Sequence, residues 1–365
     1  MSNKFLTVQE IARAALPILH ENLVFPALTY RNSTGDYNKK GDVIQVKKPP
    51  MYTADEFGGE INLQDVNEEN VLVTLDKIAD VSVELTAKEM ALNLSDFTKQ
   101  VLEPAAIAIA EKINKDGLEL YKDIPYVSGT AGTTPEGIAA FANAAKVLNE
   151  NKAPLTDRAC IWNSTALAGF QSDANIVNAE KCGTTKALRN GSIGKLIGFD
   201  NYTSHQICRH TKGSVTGTIA ISADAEAGDK VLSMSCTSGS LVKGDILTIK
   251  GKTYTVKKDV TASNGTMTVE IDPAVPTGGF TTADEVTLTD SHTANLAFHK
   301  NAFGFISRPL EKARGAESYV TSYNGITLRV TFGYDMATKK QTMSVDTLYG
   351  FKTLYPELAV RVLGE

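Results

Sequence analysis

Several things are scarce in this sequence, and each absence excludes a class of function. No stretch approaches the roughly 18 consecutive apolar residues of a membrane-spanning helix. The opening MSNKFLTVQEIARAALPILH is not built as a secretory leader, because Gln9, Glu10 and Arg13 interrupt its apolar residues. The chain is therefore expected to be made and kept in a cytoplasm, with no membrane partner. Basic charge is not in excess: 37 Lys and Arg stand against 42 Asp and Glu, a net charge of -5. Tight sequence-specific nucleic-acid binders carry a basic excess or stripe, and none shows here. A mildly acidic protein can still surround a polyanion without gripping it. Cysteine is sparse, and Cys160, Cys182, Cys208 and Cys236 form no CxxC pair and no zinc spacing, so four free thiols are expected.

Catalytic and ligand-binding patterns are equally thin. Gly191-Ser-Ile-Gly194-Lys195 has part of the outline of a phosphate loop, but Arg189 stands where the first glycine belongs and Leu196 where Ser or Thr should hold the metal. The five histidines, His20, His205, His210, His292 and His299, make no HExxH and no helical metal pair. His210 and His292 bracket a β-rich stretch and are expected to lie close together by chance of topology. The carboxylates Asp55, Glu56, Glu60, Glu68, Glu69, Asp284 and Glu285 sit in polar stretches where nothing separates their pKa values for acid–base work. There is no GxSxG elbow. Asn32-Ser-Thr and Asn201-Tyr-Thr match glycosylation acceptors that a cytoplasmic chain would never present to the enzyme. The reading is no enzyme, no cofactor and no metal.

With 365 residues, 42% hydrophobic and 22% charged, the chain suits one large domain or two smaller ones. Thr7 to Leu19 carries Val8, Ile11, Ala12, Ala15, Leu16 and Leu19 at helical spacing, and Pro17 should distort or end that helix. This amphipathic segment either packs on its own domain or lies as an arm on a neighbour, and the pattern does not choose. Asp42 to Val46 and Val71 to Leu85 alternate as strands. Between them Lys47 to Asn70 holds Pro49, Pro50, Gly58, Gly59 and six carboxylates, with Tyr52 and Phe57 as isolated large apolar groups. Segments of that length and weak patterning are normally functional or disordered, and its aromatics point to packing on something outside its own fold.

Ser95 to Asp123 is the longest helical stretch, with Ser95 as cap and Pro104 forcing a bend or a restart. Thr134 to Asn149 is a second helix, Ala159 to Trp162 a short strand, and Ser164 to Gln171 a third helix. From Arg209 to Ser291 the composition turns to Thr, Ser, Gly and Val, with short evenly spaced strands such as Ile219-Ile221, Ile246-Ile249 and Met267-Ile271. That is the pattern of a small barrel inserted as a separate β domain. Gly251 is placed for a two-residue type II′ hairpin turn. Ala294 to Ser307 and Ile326 to Val362 then return as strands to the main domain.

Read together, this order of parts resembles the tailed-bacteriophage major capsid protein of the Hong Kong 97 type. Leu196-Ile-Gly-Phe-Asp-Asn-Tyr-Thr-Ser204, Ala297-Phe-His-Lys-Asn-Ala-Phe-Gly-Phe305, Leu328-Arg-Val-Thr-Phe-Gly-Tyr-Asp335 and Phe351-Lys-Thr-Leu-Tyr355 are similar to local segments of that family. The β insertion near Arg209 is similar to the coat-protein branch of short-tailed Salmonella phages. The resemblance implies an α+β phage major-capsid fold: an N-terminal arm (1–35), an extended loop (36–70), a peripheral domain (71–135) with spine helix 95–123, an axial domain (136–208), an inserted β-barrel domain (209–291) and a return (292–365). It further implies a structural subunit that assembles with itself into pentamers and hexamers, with scaffolding protein and portal as partners. The shell would enclose double-stranded DNA and be built in the bacterial cytoplasm as a virion capsid. Lys47, Lys48, Tyr52, Asp55, Glu56, Phe57 and Glu60 of the loop, and Ile11 and Leu16 of the arm, are the expected inter-subunit contacts. The rival readings are a nanocompartment shell of the same fold and a β-rich carbohydrate-binding or adhesive protein.

Overall fold

The computed structural model describes residues 8–31, 43–47, 70–85, 98–178, 189–312, 315–323, 325–335 and 340–365. The chain divides into two compact units, and each is built from separated stretches of sequence. The first comprises Met1–Leu23, Tyr30–Ile113 and Phe303–Leu354; the second comprises Val24–Thr29, Asn114–Ala302 and Tyr355–Glu365.

The first unit is organised by one long strand, Lys340–Thr353. Lys77–Leu85 pairs along one side of it; along the other, Ile326–Asp335 takes its first half and Phe303–Arg308 its second. Glu317–Tyr323 completes this five-stranded antiparallel sheet, and Val43–Lys47 pairs separately with Asn70–Thr74. The helix Val8–Asn22 packs on the sheet with Ile11, Leu16 and Leu19 buried beside Ile109, Ile326, Leu328, Val330 and Met343. Pro17 neither ends nor shortens this helix. An internal proline costs about 3 kcal/mol, but each buried Leu, Ile or Val contributes about 1.5–3 kcal/mol, and the helix buries four such residues. Pro104 has the larger local effect. Thr98–Leu102 is wound as a π-helix and the regular α-helix starts at Glu103, so Pro104 stands in its first turn, where a missing N–H is harmless. The helix runs to Leu118 and tightens into a 3₁₀ turn, Glu119–Asp123.

The second unit holds a mixed sheet in the order Val127–Ser128, Ala359–Leu363, His292–His299, Arg158–Trp162, Phe199–Thr203, Lys195–Leu196. Gly137–Glu150 and Ser164–Ser172 are its helices, the former starting later than the Thr134 signal. Phe141, Trp162 and Phe170 form a mutual edge-and-tilt cluster with centroids 4.7–5.1 Å apart. The β-rich stretch closes into a six-stranded barrel: Val231–Ser235, Thr266–Asp272, Lys252–Val256, Ile246–Ile249, Glu285–Leu288, Ile219–Ile221 and back. Its alternating inward residues, among them Leu232, Met234, Ile249, Val256 and Val269, are buried and pack together in the interior.

The hairpin at Gly251 differs from its expected type. Ile249 pairs with Lys252, and both central residues have positive φ, Lys250 at 50° and Gly251 at 74°. That is type I′, which needs left-handed backbone at both positions and places its glycine second. The type II′ reading fails because Gly251 stands second in the loop, where type II′ needs negative φ, and has positive φ instead.

Because Ile11 is 1% exposed in its own core, Ile11→Ala should destabilise the isolated subunit by about 2–5 kcal/mol in chemical denaturation. An unchanged midpoint would show that the helix takes its stability from elsewhere.

Candidate functional site

A cluster of buried polar side chains lies at the root of the barrel, within the second unit. Strand Arg209–His210 pairs with the start of His292–His299, setting His210 opposite His292 with ring centroids 5.3 Å apart. The expected proximity of these two histidines is thus a register fact. Tyr121, from the 3₁₀ turn, brings its hydroxyl 3.1 Å from His210 Nδ1, and His210 Nε2 donates to Asp245 Oδ1 at 2.8 Å. Asp245 also accepts from the backbone N–H groups of Val242 and Gly213. Gly213 has to be glycine, since a Cβ there would lie 2.1 Å from the Ser240 carbonyl oxygen.

Arg361, on Ala359–Leu363, completes the cluster. Its guanidinium donates to the carbonyls of Gly244 (2.8 Å), Tyr121 (2.6 Å) and Ile124 (3.0 Å) and lies over the Tyr121 ring at 5.0 Å. Asp245, His292 and Arg361 are 0% exposed, so these groups interact in a medium far less polarisable than water. Lys243 and Lys257 both pair with Asp123, and Thr255 Oγ1 donates to the Lys122 carbonyl. Barrel and 3₁₀ turn are therefore fastened by a buried cation, a buried carboxylate and a ring of ordinary hydrogen bonds.

The protonation states follow from burial. Loss of water pushes Arg361 down to about 10, which leaves it charged at neutral pH. The Tyr121 hydroxyl is pushed up to about 12 by burial, with Arg361 opposing. His292 is pushed down to about 4 by burial, opposed by its hydrogen bond to the Asp290 carbonyl and reinforced by Arg361 and His210. Its Nδ1 carries the proton donated to Asp290, at 2.8 Å, so the neutral ring turns a bare Nε2 inward. His292 Nε2 and Arg361 Nε are the buried side-chain polar atoms without a partner among the described residues. Tyr121–His210–Asp245 has the connectivity of a nucleophile–base–acid relay. A hydroxyl whose pKa rises is a poorer nucleophile, and all three groups are enclosed. The arrangement acts as a clamp.

Other expected residues are placed as follows. Ile11 and Leu16 are buried in their own chain, at 1% and 5% exposure, with no surface left for a neighbour, because the sheet beneath them has taken it. Lys47 ends a strand paired at Asn70. Lys48, Tyr52, Asp55, Glu56, Phe57 and Glu60 lie outside the described residues, as do Cys182, Ser95, Glu68 and Glu69. Cys160, Cys208 and Cys236 are free thiols. Lys195 lies on a short strand and bridges Asp200 at 3.7 Å, with no helix following it, so the phosphate-loop outline has no structural counterpart. Asp245, Tyr121 and Arg361 were not singled out from sequence. The only available signal was an arginine inside an apolar final strand, Ala-Val-Arg361-Val-Leu.

The cluster makes stability depend on acid. His292 has its folded pKa near 4 and an ordinary value of 6.5 when unfolded. The unfolded chain therefore takes up the proton first as pH falls. Stability is full above about pH 6.5 and declines toward pH 4, by up to about 3 kcal/mol from this group. Denaturation midpoints between pH 7 and 4 should show this slope in the wild type and a shallower one in His292→Gln. Arg361→Leu should cost about 3–5 kcal/mol at neutral pH by removing the enclosed cation near Asp245 and leaving the Gly244 and Ile124 carbonyls without their donor, read in the same assay.

No family model matches the sequence, and no curated protein matches it. Solved structures do. A chain of Mycobacterium phage Che8 aligns over 93% of this chain and 90% of its own length, with TM-score 0.54 and 15% identity. The capsid structure of the cyanophage P-SCSP1u gives TM-score 0.48 at 14% identity over 93% and 88%. A virus-like particle from Pyrococcus furiosus gives 0.42 at 9% identity over 97% and 98%. At these identities the shared property is the fold: the chain has the α+β fold of the Mycobacterium phage Che8 chain, and its own version includes a closed small β-barrel.

Proposed function

We propose that this chain is a shell subunit, the major capsid protein of a tailed phage, which assembles with copies of itself around double-stranded DNA. The observation that carries the reading is the extent of the fold match, which takes in nearly the whole of this chain and of the Mycobacterium phage Che8 chain. Fold likeness alone does not fix function; the surface chemistry adds to it. Large apolar side chains stand in water on both units: Leu72 and Ile78 on the first, Ile138, Leu155 and Tyr202 on the second. Exposed aromatic and aliphatic anchors are what interface cores are made from.

Identical subunits meeting through heterologous contacts close into rings of five and six. Many modest contacts per subunit then add up by avidity. In this reading Lys47, Lys48, Tyr52, Asp55, Glu56, Phe57 and Glu60 form contacts between subunits, with Tyr52 and Phe57 as anchors and the charges setting register. Scaffolding protein and a portal are the expected partners, and the virion capsid the location. The barrel supports reading the chain as one of the branch whose coat subunit carries an added β domain, as in short-tailed Salmonella phages. Its hydrogen bonds to Arg361 and the Lys122 carbonyl favour a bracing role within the subunit.

Overexpressed protein imaged by negative stain should show closed shells, tubes or ring-shaped capsomers. A monomer that stays monomeric at high concentration in sedimentation would overturn the reading. Shells that form but package an enzyme in place of DNA would replace it with a nanocompartment. Deleting residues 209–291 with a short linker should leave soluble protein that aggregates. Normal shells from that deletion would exclude bracing.

A further inference from the structure

A concave pocket of ≈ 440 Å³ opens in the second unit. It lies where the long helix tightens into its 3₁₀ turn, beside the segment that leads from strand Phe199–Thr203 to strand Arg209–His210. Lys115, Lys122, His205 and Arg209 line it, and Glu119 is its one carboxylate. Three permanent cations against one anion leave a surplus of two positive charges. Glu119 lies 3.8 Å from Lys122. Lys115 and Arg209 are exposed, and neither forms an ion pair among the described residues. Asp116 is enclosed and does not line the pocket. In a chain of net charge -5 this is a local reversal of sign.

Lysines at the end of a helix ordinarily offset its negative pole. Here that task is done from the interior, because the Arg361 guanidinium takes the carbonyls of Tyr121 and Ile124. Lys115 and Lys122 are therefore surplus to the helix, and Arg209 and His205 reach the same space from another part of the chain. Ser164 Oγ meets His205 Nδ1 at 3.3 Å, which leaves Nε2 of that ring for a further hydrogen bond. Convergent cations in a concave site concentrate anions. The kind of anion follows from the walls. A peptide or an acyl chain needs an apolar strip, and the largest apolar group here, the Tyr121 ring, is already packed against Arg361 and His210. A compact, multiply charged oxyanion suits the remaining space. A guanidinium grips two oxygens of one phosphate side by side, and lysines serve it as point charges.

We propose that Lys115, Lys122, His205 and Arg209 form a binding site for phosphate groups, carried either by a free polyphosphate compound or by a nucleic-acid strand. The site is complete within one subunit, so it stands apart from the shell reading. An occupied pocket ties the 3₁₀ turn, through Lys122, to strand Arg209–His210, and so holds both sides of the Tyr121–His210 contact. A ligand that binds only the folded chain stabilises it by mass action.

The test titrates full-length protein calorimetrically with sodium tripolyphosphate at fixed ionic strength and follows the melting temperature in parallel. Saturating tripolyphosphate should raise that temperature by about 2 °C or more, and sodium chloride at the same ionic strength should not. Lys115→Gln with Arg209→Gln should weaken binding by roughly tenfold or more with unchanged circular dichroism. Lys146→Gln, which removes an exposed cation on the helix Gly137–Glu150, should bind as the wild type does. If the double variant misfolds, Arg209→Lys, which keeps the charge and loses the planar fork, should still weaken binding by about threefold or more. A single-stranded oligonucleotide titrated in the same way identifies the carrier. Oligonucleotide binding that the double variant loses places the phosphate on a nucleic-acid strand; tripolyphosphate binding without it assigns the pocket to a free compound. The proposal is overturned if tripolyphosphate does not bind, or if chloride reproduces the melting shift. It is equally overturned if the folded double variant binds as the wild type does, or loses no more affinity than Lys146→Gln.

Discussion

One enclosed guanidinium organises the second unit. An enclosed charge left without partners costs several kcal/mol, so the carbonyls of Tyr121, Ile124 and Gly244 converge on the terminal nitrogens of Arg361. Those carbonyls belong to the turn that ends the long helix and to a loop of the barrel, while Arg361 itself belongs to the strand of the mixed sheet that lies between Val127–Ser128 and His292–His299. Three elements distant in sequence are thereby oriented by a single side chain. Asp245 does the complementary task from the barrel side, closing its own turn and holding His210. Such a polar centre is less forgiving than an apolar one: every partner must be in place for any of them to be comfortable.

This explains which parts of the molecule could be read from the chain. Regular alternation revealed the strands of the barrel and of the long antiparallel sheet, because each has one wet and one dry face. Apolar residues at helical spacing revealed the first helix. Pro17 misled, since its local penalty is real but smaller than the gain from burying Ile11, Leu16 and Leu19. At Gly251 a glycine announced a tight turn but did not say which residue beside it would share the left-handed backbone. The clamp was nearly invisible. Tyr121, Asp245 and Arg361 are separated by more than a hundred residues each way, and no spacing rule links them. Only the His210–His292 pairing was foreseeable, because both ends of an insertion must leave and rejoin the same sheet.

The barrel and the mixed sheet of the second unit solve the problem of exposed sheet edges differently. The barrel closes on itself and so has no free edge to offer. The mixed sheet ends in very short strands, Val127–Ser128 at one side and Lys195–Leu196 at the other. For a protein proposed to accumulate at high local concentration beside its own copies, both devices suppress indiscriminate strand pairing. Association is then left to side chains, where charge and shape can discriminate.

The first unit draws its core from both ends of the chain: the helix at residues 8–22 is covered by strands between 303 and 353. On the ribosome the helix emerges about 280 residues before the strands from Phe303 onward that cover it. At about 5–20 residues per second, the helix waits on the order of tens of seconds with its greasy stripe in water. The helix must therefore stay sheltered until those strands have been made, and a chain that lacks them cannot complete this half of the molecule. Synthesis of the covering strands thus acts as an inspection step for the whole unit.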